Sequence, residues 1–344
     1  MKTRSHSGIT RMPVRLGICL VTMMSVLCAW DATAMANWKA SIEEASRLSG
    51  SGEYKAAERV LLEALGAARR MAGQDSLAAI TWNNLGSVYQ DLGQYEKAGQ
   101  SYRTALRLWE RLVGPEDPAL APVLNNLGTL YLVTNRLNDA EEHFERSLAI
   151  RRKSSRPDSP HVGITLQNLA QIHHARGEYE KAERTYLEAL ELWRRTPEHD
   201  PAMLGVVLNN IALIYSKRGM RLQAMSAFEE SIRVFEVSLG PRHPVLIKPY
   251  LHLARQRTAA GQTEEAERLL DSARSLAESF LPEAHPLAAA VLAEYSELLR
   301  RTKSAAQAKE LERRVEASFQ DHSRENFLNM TIDISELERR DRDF

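Results

Sequence analysis

The stretch TWNNLGSVYQDLGQYEKAGQSYRTAL, residues 81–106, reads as two helices and the turn that joins them. Trp82, Leu85, Gly86 and Tyr89 recur at the i, i+3, i+4 spacing of a packed helical face, and Tyr102, Ala105 and Leu106 do so again after the turn. Gly93 lies between the two runs, where its freedom at positive φ ends the first helix. Ala98, five residues on, is small enough for the second helix to approach the first closely. The same text returns one unit later as Leu124, Leu127, Gly128 and Tyr131, then Asn135, then Ala140, Phe144, Ser147 and Leu148.

This recurrence fixes the fold class. Ala98, Ala140, Ala182, Ala224, Ala266 and Ala308 are spaced by 42 residues throughout, each five after a turn position held by Gly93, Asn135, Gly177, Gly219, Gly261 and Lys303. Gly52 with Ala57 is an earlier copy whose spacing is one residue shorter. GPEDP, SRPDSP, PEHDP, GPRHP and LPEAHP separate the copies, with proline stopping one helix and opening the next. Seven such units predict an all-α array of helix–turn–helix pairs. The order W/L-x-x-L-G/A-x-x-Y, Gly, Ala, Tyr/Phe resembles the tetratricopeptide repeat. The 42-residue period, with its N-N-L-A/G and H-P signatures, is similar to the kinesin-light-chain type of that repeat. The resemblance covers about residues 38–317 and implies a right-handed superhelical solenoid whose first helices line a concave groove.

The flanks leave this pattern. Residues 1–36 read as a secretory signal peptide: Lys2, Arg4, Arg11 and Arg15 precede an uncharged run from Leu16 to Trp30, and small residues at Ala34 and Ala36 suit a peptidase. The run is short for a membrane span, which needs about 20 residues, although an uncleaved anchor facing the periplasm is the rival reading. Cys19 and Cys28 both fall in this segment, so residues 37–344 hold no disulfide and no thiolate. Setting aside its four basic residues and Asp31 leaves 41 basic and 44 acidic side chains, a net charge of −3. Such a balance offers no bulk attraction to nucleic acid or to acidic membranes. Residues 37–317 are then the solenoid, its last repeat made polar by Ser296, Lys303 and Glu312 as a terminal cap requires. In 318–344 the alternation of Met330, Ile332 and Ile334 suggests a short extended segment, docked on the last hairpin, lying in the groove, or mobile.

Paired asparagines are the feature that packing does not explain, since asparagine is a poor helix former. At 42-residue steps they form two rows: Asn83, Asn125, Gln167, Asn209, and Asn84, Asn126, Asn168, Asn210. One turn on, Ser87, Thr129, Gln171, Gln90 and His174 continue the polar stripe, on the side that the resemblance assigns to the groove. An amide both donates and accepts, so such a row suits the backbone of an extended peptide, and in the family the matching asparagines make these contacts. The competing reading is that stacked amides bond to the neighbouring repeat and set its rotation. From the next unit the rows break into Leu251 and His252, then Ala293 and Glu294. Lys248, His252 and Arg255 make that end basic, which fits an acidic ligand segment or a solvated face.

Catalytic patterns are missing from the sequence. It has no G-x-S-x-G, no phosphate-binding glycine loop and no H-E-x-x-H. His161, His199, His243 and His285 sit in the loops between repeats, beside or near proline, as parts of the turn. Adjacent His173 and His174 point in different directions on a helix and do not share a metal. Arg69-Arg70, Arg151-Arg152-Lys153 and Arg194-Arg195 oppose helix dipoles at C-termini. The expectation is a non-enzymatic scaffold without cofactor or metal, exported to a bacterial periplasm or the cell exterior. It would bind a peptide or protein partner, with no nucleic acid and no membrane insertion once the signal is removed. The alternative is a structural or self-associating envelope module that meets polysaccharide or an assembly through its convex face or its tail.

Overall fold

The computed structural model describes residues 33–71, 73, 75–154, 160–196, 200–282, 285–302 and 305–318. Most of the expected signal peptide, His199, Lys303 and residues 319–344 lie outside these. The described residues form fourteen α-helices and no strand: α1 (33–50), α2 (Tyr54–Arg70), α3 (Asp75–Asp91), α4 (Tyr95–Val113), α5 (Leu120–Val133), α6 (Leu137–Lys153), α7 (Pro160–Ala175), α8 (Tyr179–Arg195), α9 (Ala202–Lys217), α10 (Arg221–Leu239), α11 (Ile247–Ala259), α12 (Thr263–Phe280), α13 (Pro286–Arg301) and α14 (Ala305–Ser318). A 3-10 turn, Pro244–Leu246, leads into α11. The chain divides into two compact units, one reaching Gly114 and the other starting at Pro115.

The turns fall where the sequence predicts. Gly52, Gly93, Gly177, Gly219 and Gly261 have φ between 69° and 77°, and Asn135 takes the same region at 57°. Behind each, the next residue's N–H donates to the carbonyl five positions back: Gln94 to Tyr89 at 2.8 Å, Arg136 to Tyr131 at 2.7 Å, Gln262 to Arg257 at 2.9 Å. This is the Schellman closure, made by backbone alone, so the side chain at its start is free to change from tyrosine to arginine. The entry to the following pair is capped with equal regularity. Asp117 and Asp200 accept from the N–H of Ala119 and Ala202 at 2.8 and 2.9 Å. His243 and His285 do the same work with Nδ1, accepting from Val245 at 3.2 Å and Leu287 at 3.1 Å. These two histidines are turn caps, whereas His161 lies in the first turn of α7 rather than in a loop.

Within a pair, two close approaches hold the helices together. At Gly86 a Cβ would come within 2.4 Å of the Tyr102 ring, and at Gly128 within 2.6 Å of Phe144, so each ring lies flat on bare backbone. Both rings are buried. Two turns earlier on the first helix, Ser147 donates its hydroxyl to the carbonyl of Ala121 at 2.9 Å and Ser231 to that of Gly205 at 2.7 Å. Ala105, Ala189 and Ala273 fill that position in the other repeats and are fully buried.

Between pairs, packing is to immediate neighbours. In the first unit α2 meets α3, and Trp38 of α1 donates from its indole to Thr81 on α3 at 3.0 Å. In the second, α5 also meets α7, α9 meets α11, and α11 meets α13. Its second helices are laced by ion pairs, Arg152 with Glu188 and Arg194 with Glu230 at 3.2 Å. Arg257, standing where tyrosine stood in earlier repeats, is held by Glu229 and by Glu265 at 3.0 Å.

Candidate functional site

The polar stripe lies on the first helices, and its members fare differently along the chain. On α3, Asn83, Asn84 and Ser87 are half-buried. Ser87 shares a hydrogen bond of 3.1 Å with the hydroxyl of Tyr102, which also donates to Gln90 at 3.4 Å. Burial pushes that phenol's pKa up, so it stays a neutral hydroxyl. Ser87 and Gln90 thus serve the core ring as well as the surface.

On α5 and α7 the rows are cross-linked. The Oδ1 of Asn125 accepts from Thr165 at 3.4 Å and from the amide of Asn168 at 3.5 Å. Thr129 returns its hydroxyl to the Asn125 carbonyl at 3.0 Å, and Asn126 is half-buried beside it. Here the amides join one repeat to the next, as the structural reading of the stripe expects.

Further along, the stripe closes against solvent without closing its hydrogen bonds. Gln167 is fully buried and neither its amide nitrogen nor its oxygen meets a partner. Gln171 on the next turn has an unpartnered amide nitrogen. On α9, Asn209 and Asn210 are both fully buried; Asn209 donates to Asn210 at 3.3 Å while its own Oδ1 accepts nothing. The sequence leads one to expect these amides on an open face, but in the structure they are buried. Orphaned polar atoms of this kind cost about 1–3 kcal/mol each and are uncommon in folded proteins.

The α11 end is cationic. His252 is buried, its ring stacked on Phe228 with centroids 5.6 Å apart and Nε2 without a partner. Burial, reinforced by Arg255, Lys248 and Lys217, pushes its pKa down to about 3. Lys248 is buried, and Arg255 stands 3.2 Å from Glu294 on α13. His174 at the end of α7 is likewise held neutral, by burial and then by Lys217. His173 turns away, its Nδ1 3.1 Å from Glu178, so the adjacent histidines do part. Sequence reasoning missed Lys217. Its counterparts at 42-residue steps are Asp91, Val133 and Ala175, so no periodicity marks it.

Chemically the face is built of amides, the His252 imidazole and the side chains of Lys217, Lys248 and Arg255, many of them buried and Arg255 paired with Glu294. Among the described residues no group of three or more histidine, cysteine or acidic side chains is placed to hold a metal ion, and no helix is long and apolar enough to cross a membrane.

The architecture and the comparisons agree on the class. The tetratricopeptide repeat model matches four overlapping windows, residues 77–153, 124–195, 161–236 and 203–279, and the chain belongs to the tetratricopeptide repeat family. Among solved structures it is similar to BtubC (BKLC) from P. vanneervenii, at 24% identity over 72% of this chain and 91% of that one, with a TM-score of 0.55. It is similar also to a signal transduction ATPase with numerous domains, carrying a tetratricopeptide repeat sensor, from Pyrococcus horikoshii. There the identity is 18% over 84% of this chain and 43% of that one, with a TM-score of 0.67. Aspartyl phosphate phosphatase F from Bacillus subtilis aligns at 14% identity over 90% and 78% of the two chains, with a TM-score of 0.60. These likenesses show the fold alone. No curated protein matches the chain.

Proposed function

We infer that this chain is a non-catalytic scaffold that holds an extended peptide of a partner protein along the polar face of α7, α9 and α11. The tetratricopeptide fold suggests a protein-interaction scaffold in general terms. What favours this face is the row of amides that runs from Asn125 and Asn126, both half-buried on α5, to Gln167, Gln171 and Asn209, whose unpartnered amide atoms a ligand reaches only if the face opens. A peptide backbone presents a donor and an acceptor at each residue, and an array offering both satisfies it with little regard to its side chains. The site for this binding is the cell envelope, a reading that rests on residues 1–36 alone.

The test separates ligand contacts from structural ones. Gln167→Leu with Asn209→Leu removes an amide without a hydrogen-bond partner and one held by a long bond to its neighbour Asn210, so the double variant is expected to fold. Used as bait beside the parent chain in envelope extracts, it is expected to lose a partner that the parent retains. Equal capture by the two chains would overturn the assignment of this face.

A further inference from the structure

We propose that the protein self-associates through the outer face of α10, two copies pairing antiparallel about a two-fold axis so that Leu222 of each meets Val237 of the other. The inference concerns a second helix, goes beyond the peptide-binding reading above and does not depend on it.

The two sides of α10 have different tasks. Ala224, Phe228, Ser231, Ile232 and Phe235 are buried. On the other side Leu222, Ser226, Arg233 and Val237 are exposed, and at 100° per residue they fall within about 60° of one another. Leu222 is 77% exposed and Val237 85%. A scattered apolar residue on a surface is ordinary, but the repeat shows what these two replace. At 42-residue steps the place of Leu222 is held by Glu96, Asn138, Glu180 and Glu264, and that of Val237 by Arg111, Lys153, Arg195 and Ser279. In α4, α6, α8 and α12 both places are polar, and in α10 both are apolar. Ser226 in turn stands where those helices carry the longer Gln100, Glu142, Arg184 and Arg268.

The spacing points to the occupant. Leu222, Ser226, Arg233 and Val237 are separated by four, seven and four residues, so the stripe reads the same from either end. A two-fold axis passing between Glu229 and Glu230 sets Leu222 on Val237 and Ser226 on Arg233 at both ends at once. This is the i-to-j and j-to-i pairing of an isologous interface. A different protein has no use for that symmetry, whereas a second copy requires it. Charge agrees with the same register. Arg233 comes about one turn from Glu229 and Glu230 of the other copy, and the short Ser226 leaves room for its side chain. Glu229 already answers Arg257 within its own chain, and Glu230 answers Arg194 at 3.2 Å, but a carboxylate accepts from more than one donor. One helix face covers less than the roughly 800 Å² per partner of a stable complex, so the pairing is weak and shifts with concentration.

Sedimentation of the full chain over a concentration series tests this. The parent is expected to rise in mass with concentration, from 38.8 kDa toward twice that value. Leu222→Glu and Val237→Arg put back the residue types that Glu180 and Arg195 supply one repeat earlier, so each variant is expected to fold and to melt as the parent does. Each alone is expected to weaken association by about tenfold or more, because a charge is set against an apolar side chain at both ends of the contact. An equimolar mixture of the two variants is expected to regain it. There the new carboxylate of one chain meets the new guanidinium of the other, while Leu222 and Val237 still meet at the far end. A parent that stays at 38.8 kDa up to about 1 mM would overturn the proposal. So would single variants that associate as the parent does, or a mixture no heavier than its components.

Discussion

Asn125 on α5 and Gln167 on α7 hold the same place one repeat apart, yet Asn125 accepts from Thr165 and Asn168 while neither amide atom of Gln167 finds a partner. The packed face of the same helices behaves in the opposite way. There Gly86 under Tyr102 and Gly128 under Phe144 solve one steric problem in one manner, and Ala170 and Ala212 hold the corresponding places in the next two repeats. A face that must match its own neighbour is kept uniform. The polar face drifts from amide to imidazole to cation along the chain, and carries unpartnered amide atoms as it does so. The contrast separates what builds this protein from what it offers.

The strongest way to strain the comparison is to attack the uniform face. Phe144 is fully buried on bare glycine backbone, and Phe144→Ala is expected to cost about 3–5 kcal/mol. Urea unfolding of the second unit reads this directly, and a loss under 1 kcal/mol would mean that the rings are not what joins the paired helices.

The next effect is one of pH. His252 has its pKa pushed down to about 3 in the folded chain, against an ordinary value of about 6.5. The unfolded state therefore takes up the proton first, and stability falls as pH drops from about 6.5 towards 3. Linkage puts the loss at about 2 kcal/mol between pH 7 and pH 5 for a group shifted this far. His252→Gln is expected to flatten that slope when melting is followed across the same range. An unchanged slope would show that His252 shares its site with water or a counter-charge.

The sequence carried most of the scaffold because scaffold physics is local. A Schellman turn needs a residue at positive φ in one place, a cap needs an acceptor before proline, and a close helix approach needs a small side chain. Each leaves a mark that repeats every 42 residues. His243 and His285 were legible as turn residues for that reason, and Arg257 shows how far the side chain can vary once backbone closes the turn. The state of the stripe was not legible. Asn125, Gln167 and Asn209 differ by little in the sequence, and whether each is satisfied depends on the side chain presented by the adjoining repeat. Lys217 escaped because it has no periodic counterparts. Nor does the sequence announce the division at Gly114, since GPEDP looks like the other links.

The central claim is that the amides of α7 and α9 are kept for a ligand and not for the fold, and thermal melting of Gln167→Leu beside Asn125→Leu tests it most directly. Replacing an unpaired buried amide by an apolar side chain of similar size is close to neutral or stabilising, while removing a paired one costs about 1 kcal/mol. The account predicts that Gln167→Leu melts at or above the parent and Asn125→Leu below it. If Gln167→Leu melts well below the parent, its amide holds the repeats together and the binding face must be sought elsewhere on the molecule.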